Sequence, residues 1–363
     1  MIAIQQVTGS TLEIIDLTRR FGSVAAVDHV SLSLRAGEIV AILGPSGSGK
    51  STLLSMIGGQ QKPDSGDIRI SGHSIVNSPP NRRETATVFQ DYALFPHLTV
   101  AENIAFGLRM HGWSKEAMLK QVARMLELVG LTGLEQRGIS QLSGGQRQRV
   151  ATARALAVEP RVLLLDEPLG ALDRQIRQRL QKELSQLLRR LSVTALLVTH
   201  DQQEAFAMAD RVAVMHDGRL LQVSAPTDLY SSPETEFVAT FLGKGRLIEG
   251  KVKSVDAMHL IVEAEGGRFN CRGQAPVGAV VRVLIRPEHL FLAPNTEPGL
   301  TWTDMTIEEV VPAGETTEVL LGRGNFKLEA VMLGRVPHQP GTLTGVKLDP
   351  DGPLIMPQAQ LVK

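Results

Sequence analysis

The stretch Gly44-Pro-Ser-Gly-Ser-Gly-Lys-Ser-Thr52 decides the fold of this chain. It fits the phosphate-loop pattern G-x-x-x-x-G-K-[ST] and directly follows an apolar run at Ile39 to Leu43 that predicts a strand. Glycines let backbone N–H groups turn toward a polyphosphate, and a helix that starts near Lys50 would present its positive end to that anion. The predicted phosphate-binding residues are Gly44, Pro45, Ser46, Gly47, Ser48, Gly49, Lys50, Ser51 and Thr52.

Two side chains of this loop carry specific roles in the pattern. Lys50 is expected to reach the β- and γ-phosphates, and the hydroxyl group of Ser51 is expected to bind Mg²⁺. The alternative is a glycine-rich turn that matches the pattern by chance, but the strand before the loop and the helix after it disfavour that alternative.

A pair of carboxylates ends a second apolar run, Arg161-Val-Leu-Leu-Leu-Asp-Glu-Pro168. The end of that strand would place Asp166 beside the phosphate loop, where it can hold Mg²⁺ through water. Glu167 would then face the attacking water, as its general base or as the group that orients it. An isolated Asp-Glu pair is more often a helix cap or part of a solvated loop. The phosphate loop upstream favours the catalytic interpretation.

The pentapeptide Leu142-Ser-Gly-Gly-Gln146 precedes a predicted helix at Arg147 to Val158. A serine and two glycines at a helix N-terminus make a second potential anion site, formed by Ser143, Gly144, Gly145 and Gln146. One chain cannot easily bring both anion sites to one nucleotide. Standing alone, the pentapeptide would indicate only a glycine turn before a helix.

Strands and helices alternate from about Thr11 to Leu242. Val193 to Thr199 is another apolar run, and Lys115 to Val129 and Leu180 to Leu191 have the spacing of amphipathic helices. After residue 243 the pattern changes to short alternating strands broken by Gly and Pro, which predicts a small β-barrel. These strands include Leu260 to Ala264, Val280 to Ile285 and Thr317 to Leu321. The chain therefore divides into an α/β domain and an all-β domain.

Composition excludes several classes of protein. Lys plus Arg and Asp plus Glu are both 38, so the formal net charge is zero and no nucleic-acid partner is expected. No run of 18 apolar residues predicts a transmembrane helix, so a role at a membrane would require a partner protein. The single cysteine, Cys271, cannot form an internal disulfide and fits a reducing compartment.

The order of phosphate loop, Leu142-to-Gln146 pentapeptide and Asp166-Glu167 pair resembles the nucleotide-binding subunit of an ATP-binding-cassette (ABC) transporter. This resemblance implies a P-loop NTPase fold with a RecA-like core at residues 11–242 and a helical subdomain at about 91–160. The tail, residues 243–363, contains Ile285-Arg-Pro-Glu288. It resembles the accessory OB-like barrel, or transport-associated OB domain, of bacterial importer ATPases.

Four further positions match motifs of this family. Gln90 resembles the Q-loop glutamine that senses Mg²⁺ and water, and His200 resembles the switch histidine at the γ-phosphate. Asp173 resembles the D-loop aspartate. Phe21 matches the aromatic residue that stacks on adenine, although a phenylalanine on an early strand could equally be a core residue. The resemblance also implies a head-to-tail homodimer that binds two ATP molecules with Mg²⁺, the pentapeptide of each subunit completing the other's site.

The segment Asp91 to Leu108 resembles the surface of an importer ATPase that receives the permease. The resemblance thus implies an ATPase at the cytoplasmic face of the membrane, two permease subunits or domains, and an extracytoplasmic solute-binding protein. The motifs do not encode the solute. Polyamines such as spermidine and putrescine are the first hypothesis, with ferric iron, phosphonate, sulfate or sugar as alternatives. A non-transport ABC ATPase is the alternative class, disfavoured by the single cassette and the balanced charge.

Overall fold

The computed structural model describes residues 9–170, 174–255 and 259–357. The chain divides into two compact units, Met1–Leu229 and Tyr230–Lys363. This division precedes residue 243 because Ala239, on a short helix, is buried with Leu284 and Met356 of the C-terminal unit. The proposed domain limits, 11–242 and 243–363, stay a prediction.

The α/β class of the first unit is confirmed. Its strands are β1 (Leu12–Phe21), β2 (Val24–Leu34), β3 (Ile39–Leu43), β4 (Ser65–Ile70), β5 (His73–Ser74), β6 (Thr85–Val88), β7 (Val162–Asp166), β8 (Thr194–Thr199), β9 (Arg211–His216) and β10 (Arg219–Ser224). Its helices are α1 (Lys50–Gly58), α2 (Val100–Met110), α3 (Lys115–Leu128), α4 (Gly144–Ala157), α5 (Arg174–Leu191) and α6 (Gln202–Met208), and α7 (Pro226–Ser231) follows.

Two sheets form the framework of this unit. The six-stranded sheet has the order β10-β9-β3-β8-β7-β6, and its strands are parallel except for the edge strand β10. The second sheet, β2-β1-β4-β5, is antiparallel. All residues of β3 and β8 are buried, as the continuous apolar runs predict for strands covered on both faces.

Helices α2 and α3 begin where polar side chains cap their free N–H groups. Thr99 and Glu102 form a capping box at the start of α2, and Ser114 caps α3. Helix α5 begins at Arg174, six residues before the predicted start at Leu180. Its first turns are rich in Arg and Gln, so the apolar spacing that predicts a helix is absent there.

The described residues of the second unit after α7 are strands and loops apart from the short helix α8 (Glu236–Phe241) and one turn of 3₁₀-helix. Its strands are β11 (Arg246–Val255), β12 (Leu260–Ala264), β13 (Gly267–Cys271), β14 (Val280–Ile285), β15 (Leu290–Ala293), β16 (Trp302–Pro312), β17 (Thr316–Arg323), β18 (Phe326–Leu333), β19 (Leu343–Leu348) and β20 (Leu354–Ile355). They form two five-stranded sheets, β13-β12-β11-β14-β20 and β15-β19-β16-β17-β18. Trp302 lies between Phe269 and Phe326 in a core to which both sheets contribute.

Arg286, from the Ile285-to-Glu288 motif, is a buried cation in this unit. Its side chain is 2% exposed, and its guanidinium donates to the carbonyl oxygens of Ala239 (3.1 Å) and Tyr230 (3.2 Å). The guanidinium also lies 3.9 Å from the centre of the Tyr230 ring, and the Tyr230 hydroxyl donates to Glu288 at 2.5 Å. The motif therefore fixes α8 and the end of α7 to the sheet that follows.

No helix among the described residues is long and apolar enough to cross a membrane.

Replacing Arg286 with Met should destabilise the C-terminal unit, because the carbonyl oxygens of Tyr230 and Ala239 would stay buried without donors. We expect a loss of about 2–4 kcal/mol in the free energy of unfolding. Urea unfolding, followed by the fluorescence of Trp302 in a Trp113→Phe background, measures it. Arg268→Met is the matched control, since Arg268 is exposed and pairs only with Glu263. Equal stability of the two variants would contradict the role given to Arg286.

Candidate functional site

The parallel strands bring the predicted site residues to one edge of the six-stranded sheet. In the register, Leu43 of β3 pairs with Thr199 of β8, and Asp166 of β7 pairs with Val198. The phosphate loop follows Leu43, and His200 follows Thr199, so both lie at the carboxyl ends of adjacent strands. Ligands of open α/β sheets bind at such an edge.

The phosphate loop depends on two glycines with left-handed backbone conformations. Gly47 has φ 81° and Gly49 has φ 103°, where other residues are strained. A Cβ atom on Gly49 would lie 1.9 Å from the carbonyl oxygen of Ala26, whereas one on Gly47 would meet no atom within 4 Å. Gly49 therefore permits the loop to pack against β2, while Gly47 leaves a backbone open to a ligand.

Lys50 is folded back onto its own loop. Its ammonium group donates to the carbonyl oxygens of Gly44 and Pro45, each at 2.8 Å. The side chain is buried, and that burial lowers the pKa of Lys50, against the opposing charges of Glu167 and Asp166. The lysine is thus a desolvated cation at the place where phosphates are expected.

Asp166 carries the feature that fits a cation. Its Oδ1 atom is buried and has no hydrogen-bond partner among the described residues. Burial raises the pKa of Asp166, Glu167 raises it further, and Lys50 opposes both. An orphaned carboxylate oxygen beside a phosphate loop suits a hard cation such as Mg²⁺, which keeps several waters and phosphate ligands. No cluster of three or more His, Cys, Asp or Glu side chains in the described ranges could hold a metal by itself.

Glu167 and His200 form a hydrogen-bonded pair. Glu167 Oε1 lies 2.9 Å from His200 Nδ1, and the Glu167 amide donates to the carbonyl oxygen of Val198 at 2.9 Å. The backbone of Glu167 adopts φ 44°, an unfavourable conformation outside glycine that costs about 1–3 kcal/mol. The strain turns the carboxylate from β7 toward the histidine, which is half exposed at the mouth of the site.

Gln90 lies in the neighbourhood of this carboxylate, on the far side of Gly170. A Cβ atom placed on Gly170 would lie 3.6 Å both from Gln90 Nε2 and from Glu167 Oε2, so the two side chains flank the same small residue. A larger residue at position 170 would contact both of them. The other predicted residue of this segment, Asp173, lies outside the described residues.

The pentapeptide forms the N-terminal cap and first turn of α4. Ser143 caps α4 by accepting from the amide of Gln146, and Gln146 Oε1 accepts from the amide of Ser143. Helix α4 packs against α2, α3 and β6, whereas α1 packs against β2, β6, β7 and β8. Thus the structure brings Lys50, Asp166, Glu167, Gln90 and His200 together, while Ser143 to Gln146 begin a helix that shares β6 with α1 but packs mainly on α2 and α3.

Phe21 ends β1 with 47% of its surface exposed, so it is not a core residue. The guanidinium of Arg19 lies 4.9 Å from its ring centre. Arg19 in turn is fixed by Asp64 at 2.7 Å. An exposed ring backed by a cation is available to stack on a flat ligand.

Several residues at or near the site are not evident from sequence patterns. Arg154 donates to the carbonyl oxygens of Ala93 (2.7 Å) and Tyr92 (2.8 Å), which lie shortly after Gln90. Arg177 pairs with Asp201, the residue that caps α6. Glu204 is buried next to Thr199. These contacts join distant parts of the chain, and only the pattern Thr199-His-Asp201, a capping signal after a strand, hints at any of them.

Comparisons with known proteins show similarity to one family. The family model described as "ABC transporter" matches residues 27–170. The spermidine/putrescine import ATP-binding protein PotA of Rubrobacter xylanophilus is 45% identical over 84% of this chain and 82% of the relative. The sulfate/thiosulfate import ATP-binding protein CysA 2 of Chromobacterium violaceum is 44% identical over 92% of this chain and 91% of the relative.

A solved structure is also similar. CbiO1 from Clostridium perfringens, described as part of the ABC transporter complex cbiONQ, superposes with a TM-score of 0.56 and 31% identity. The superposition covers 61% of this chain and 90% of CbiO1.

The two loop glycines should respond differently to replacement by alanine. Gly47→Ala adds only backbone strain, an expected loss of about 1–2 kcal/mol of unfolding free energy. Gly49→Ala adds a clash with the Ala26 carbonyl and should cost more than about 4 kcal/mol. Urea unfolding followed by circular dichroism compares the two variants. An equal loss would mean that the approach of β2 to the loop does not constrain position 49.

Proposed function

The chain belongs to the ABC transporter family as an import-type ATP-binding subunit, and from that premise we propose how its site hydrolyses ATP and which solute it serves. The observation that carries the proposal is the convergence of Lys50, Asp166, Glu167 and His200 at the carboxyl ends of β3, β7 and β8. In this arrangement a basic residue, two carboxylates and an imidazole surround the space above the phosphate loop.

ATP binding would change the partners of Lys50. Its ammonium group would exchange the carbonyl oxygens of Gly44 and Pro45 for the β- and γ-phosphates, while loop amides and the N-terminus of α1 face the anion. Phe21 would stack on the adenine. Mg²⁺, held by Ser51, Gln90 and Asp166 with water between, would neutralise charge on the phosphates.

In this proposal Glu167 acts on the attacking water. The carboxylate accepts a proton as the water oxygen bonds to the γ-phosphorus and the bond to the bridging β–γ oxygen breaks, leaving ADP and phosphate. His200, hydrogen-bonded to Glu167, orients that carboxylate and faces the γ-phosphate. The strained backbone of Glu167 would hold the carboxylate in this orientation before ATP binds.

Two copies of the chain would complete two sites. The N-terminus of α4, with Ser143, Gly144, Gly145 and Gln146, is a capped helix start rich in backbone donors. Helix α4 packs mainly on α2 and α3, whereas the phosphate-loop helix α1 packs on strands of the sheet, so a second copy is the natural source of these donors. We therefore propose a head-to-tail homodimer with two ATP molecules.

The segment after Gln90 would receive the permease at the cytoplasmic face of the membrane. Asn103, fully buried, fixes this segment by accepting from the Phe95 amide and donating to the carbonyl oxygens of Phe95, Leu98 and Thr99. Pro96 and His97 stay exposed on it. A rigid loop with an exposed tip suits docking. Two permease subunits or domains would be the partners, and an extracytoplasmic binding protein would deliver the solute.

The solute proposed is a polyamine, spermidine or putrescine, as in the name of the Rubrobacter relative. The Chromobacterium relative, named for sulfate and thiosulfate, has nearly the same identity over a larger share of the chain, so similarity alone does not separate the two solutes. Ferric iron, phosphonate and sugar remain further candidates. A non-transport ATPase is the competing class. It predicts that membrane fractions retain the protein to the same extent with and without a co-expressed permease.

Glu167→Gln should abolish turnover while keeping ATP binding, because the carboxylate serves proton transfer more than affinity. We expect a fall of about 10²- to 10⁴-fold in kcat and a nearly unchanged ATP Kd. Size-exclusion chromatography should show a dimer that accumulates with ATP. Lys50→Ala should instead weaken ATP binding itself. Normal ATP affinity in Lys50→Ala, or normal turnover in Glu167→Gln, would contradict these assignments.

Solute uptake tests the transport role directly. Cells that lack this gene would be complemented with wild type or with Glu167→Gln, and offered labelled spermidine, putrescine, ferric iron, phosphonate, sulfate and maltose. We expect spermidine or putrescine uptake to be restored by wild type alone. Restoration of another solute would reject the polyamine assignment, and no restored uptake would favour the non-transport class.

A further inference from the structure

Glu204, on α6, is a buried acid that the mechanism above does not use. The residue is 3% exposed. Its Oε2 atom accepts from the Thr199 hydroxyl at 2.5 Å, whereas its Oε1 atom is buried and has no hydrogen-bond partner among the described residues. A carboxylate with an unsatisfied buried oxygen is costly to keep ionised, so this group sits where a proton is readily taken up.

The surroundings of Glu204 connect it to the catalytic pair. Thr199 lies directly before His200, and its Oγ1 atom also accepts from the Asp201 amide at 3.0 Å. The turn that carries His200 is therefore fixed by Thr199, whose hydroxyl hydrogen is committed to Glu204. His200 in turn contacts Glu167. Glu204 is therefore linked to Glu167 through the turn that contains Thr199 and His200.

The charges that face Glu204 come from three elements. Asp201 lies at the start of α6, the helix that carries Glu204. Arg177 lies on α5, and Glu167 follows β7. The pKa of Glu204 is raised to about 7, with burial as the largest cause. The charges of Asp201 and Glu167 also raise this pKa, whereas the Thr199 hydrogen bond and the charge of Arg177 lower it. In a poorly solvated interior a new negative charge acts on this group with little screening.

We propose that Glu204 is a buried proton site linked to nucleotide, which takes up a proton from solvent when the triphosphate binds above Glu167. The negative charge of the phosphates disfavours the ionised form of Glu204. Once Glu204 is protonated, it no longer adds a second negative charge near Glu167 and His200. By linkage, triphosphate affinity should fall as pH rises through neutrality. This inference rests on the proposed ATP site, and its test separates the two.

Isothermal titration calorimetry with a non-hydrolysable ATP analogue and Mg²⁺, in two buffers of different ionisation heat at pH 7, counts the protons taken up. Wild type should take up a fraction of a proton more per site than Glu204→Gln, which is locked in the neutral state. Glu116→Gln, an exposed glutamate on α3, should match wild type. Between pH 6.5 and 8.5, analogue affinity should weaken about 3- to 10-fold more in wild type than in Glu204→Gln.

Equal proton uptake by wild type and Glu204→Gln, with intact binding, would overturn the inference and leave the ATP site standing. Absence of analogue binding to wild type would instead overturn the proposed function. Thr199→Val provides a second route if Glu204→Gln does not fold. Loss of the hydroxyl favours the neutral acid before nucleotide arrives, so uptake at pH 7 should shrink, whereas Thr199→Ser should retain it. Undiminished uptake in Thr199→Val would also overturn the inference.

Discussion

Parallel pairing of β3, β8 and β7 is the constraint on which the site depends. Its register places the phosphate loop, Asp166 and the turn of His200 at one edge, and β3 and β8 are fully buried. In a strand, a shift of one residue turns each side chain to the other face. Such a slip in β7 would exchange the directions of Asp166 and Glu167 and bury charge among leucines. Hydrophobic packing therefore determines where the polar chemistry can occur.

The site contains charged groups that the protein itself satisfies only in part. Burial lowers the pKa of Lys50 and raises that of Asp166, so each group disfavours its own charged form while the opposite charge nearby supports it. Lys50 uses two loop carbonyls as temporary acceptors, and Asp166 has an oxygen without a donor. A polyphosphate with a cation would satisfy both groups. A ligand that completes such a site stabilises the folded state by mass action as it binds.

The chemistry of the site and most of its framework follow from local patterns. β3 occupies the predicted residues, and α3 ends one residue before the predicted Val129, because unbroken apolar runs and 3.6-residue spacing are local properties. The polar first turns of α5 lack that signal. The division of the tail into two sheets, with β20 returning to the first, depends on pairing between distant residues. Glu204, Arg154 and Arg286 have roles that exist only through contacts across the fold, so their neighbours in sequence do not reveal them.

Helix α4 joins the two surfaces on which the proposed cycle would act. The pentapeptide starts the helix at Ser143, and Arg154 projects from a point about 16 Å further along its axis. Arg154 is a half-buried cation whose guanidinium donates to the carbonyl oxygens of Tyr92 and Ala93 and lies 5.6 Å from the Phe95 ring centre. A helix is stiff over this length, and buried donors are costly to leave unpaired. A displacement of the pentapeptide by a nucleotide on a second copy would therefore carry the loop of Tyr92 to Phe95 with it. In the proposed homodimer, nucleotide and permease would then be coupled by one rigid element with a contact surface at each end.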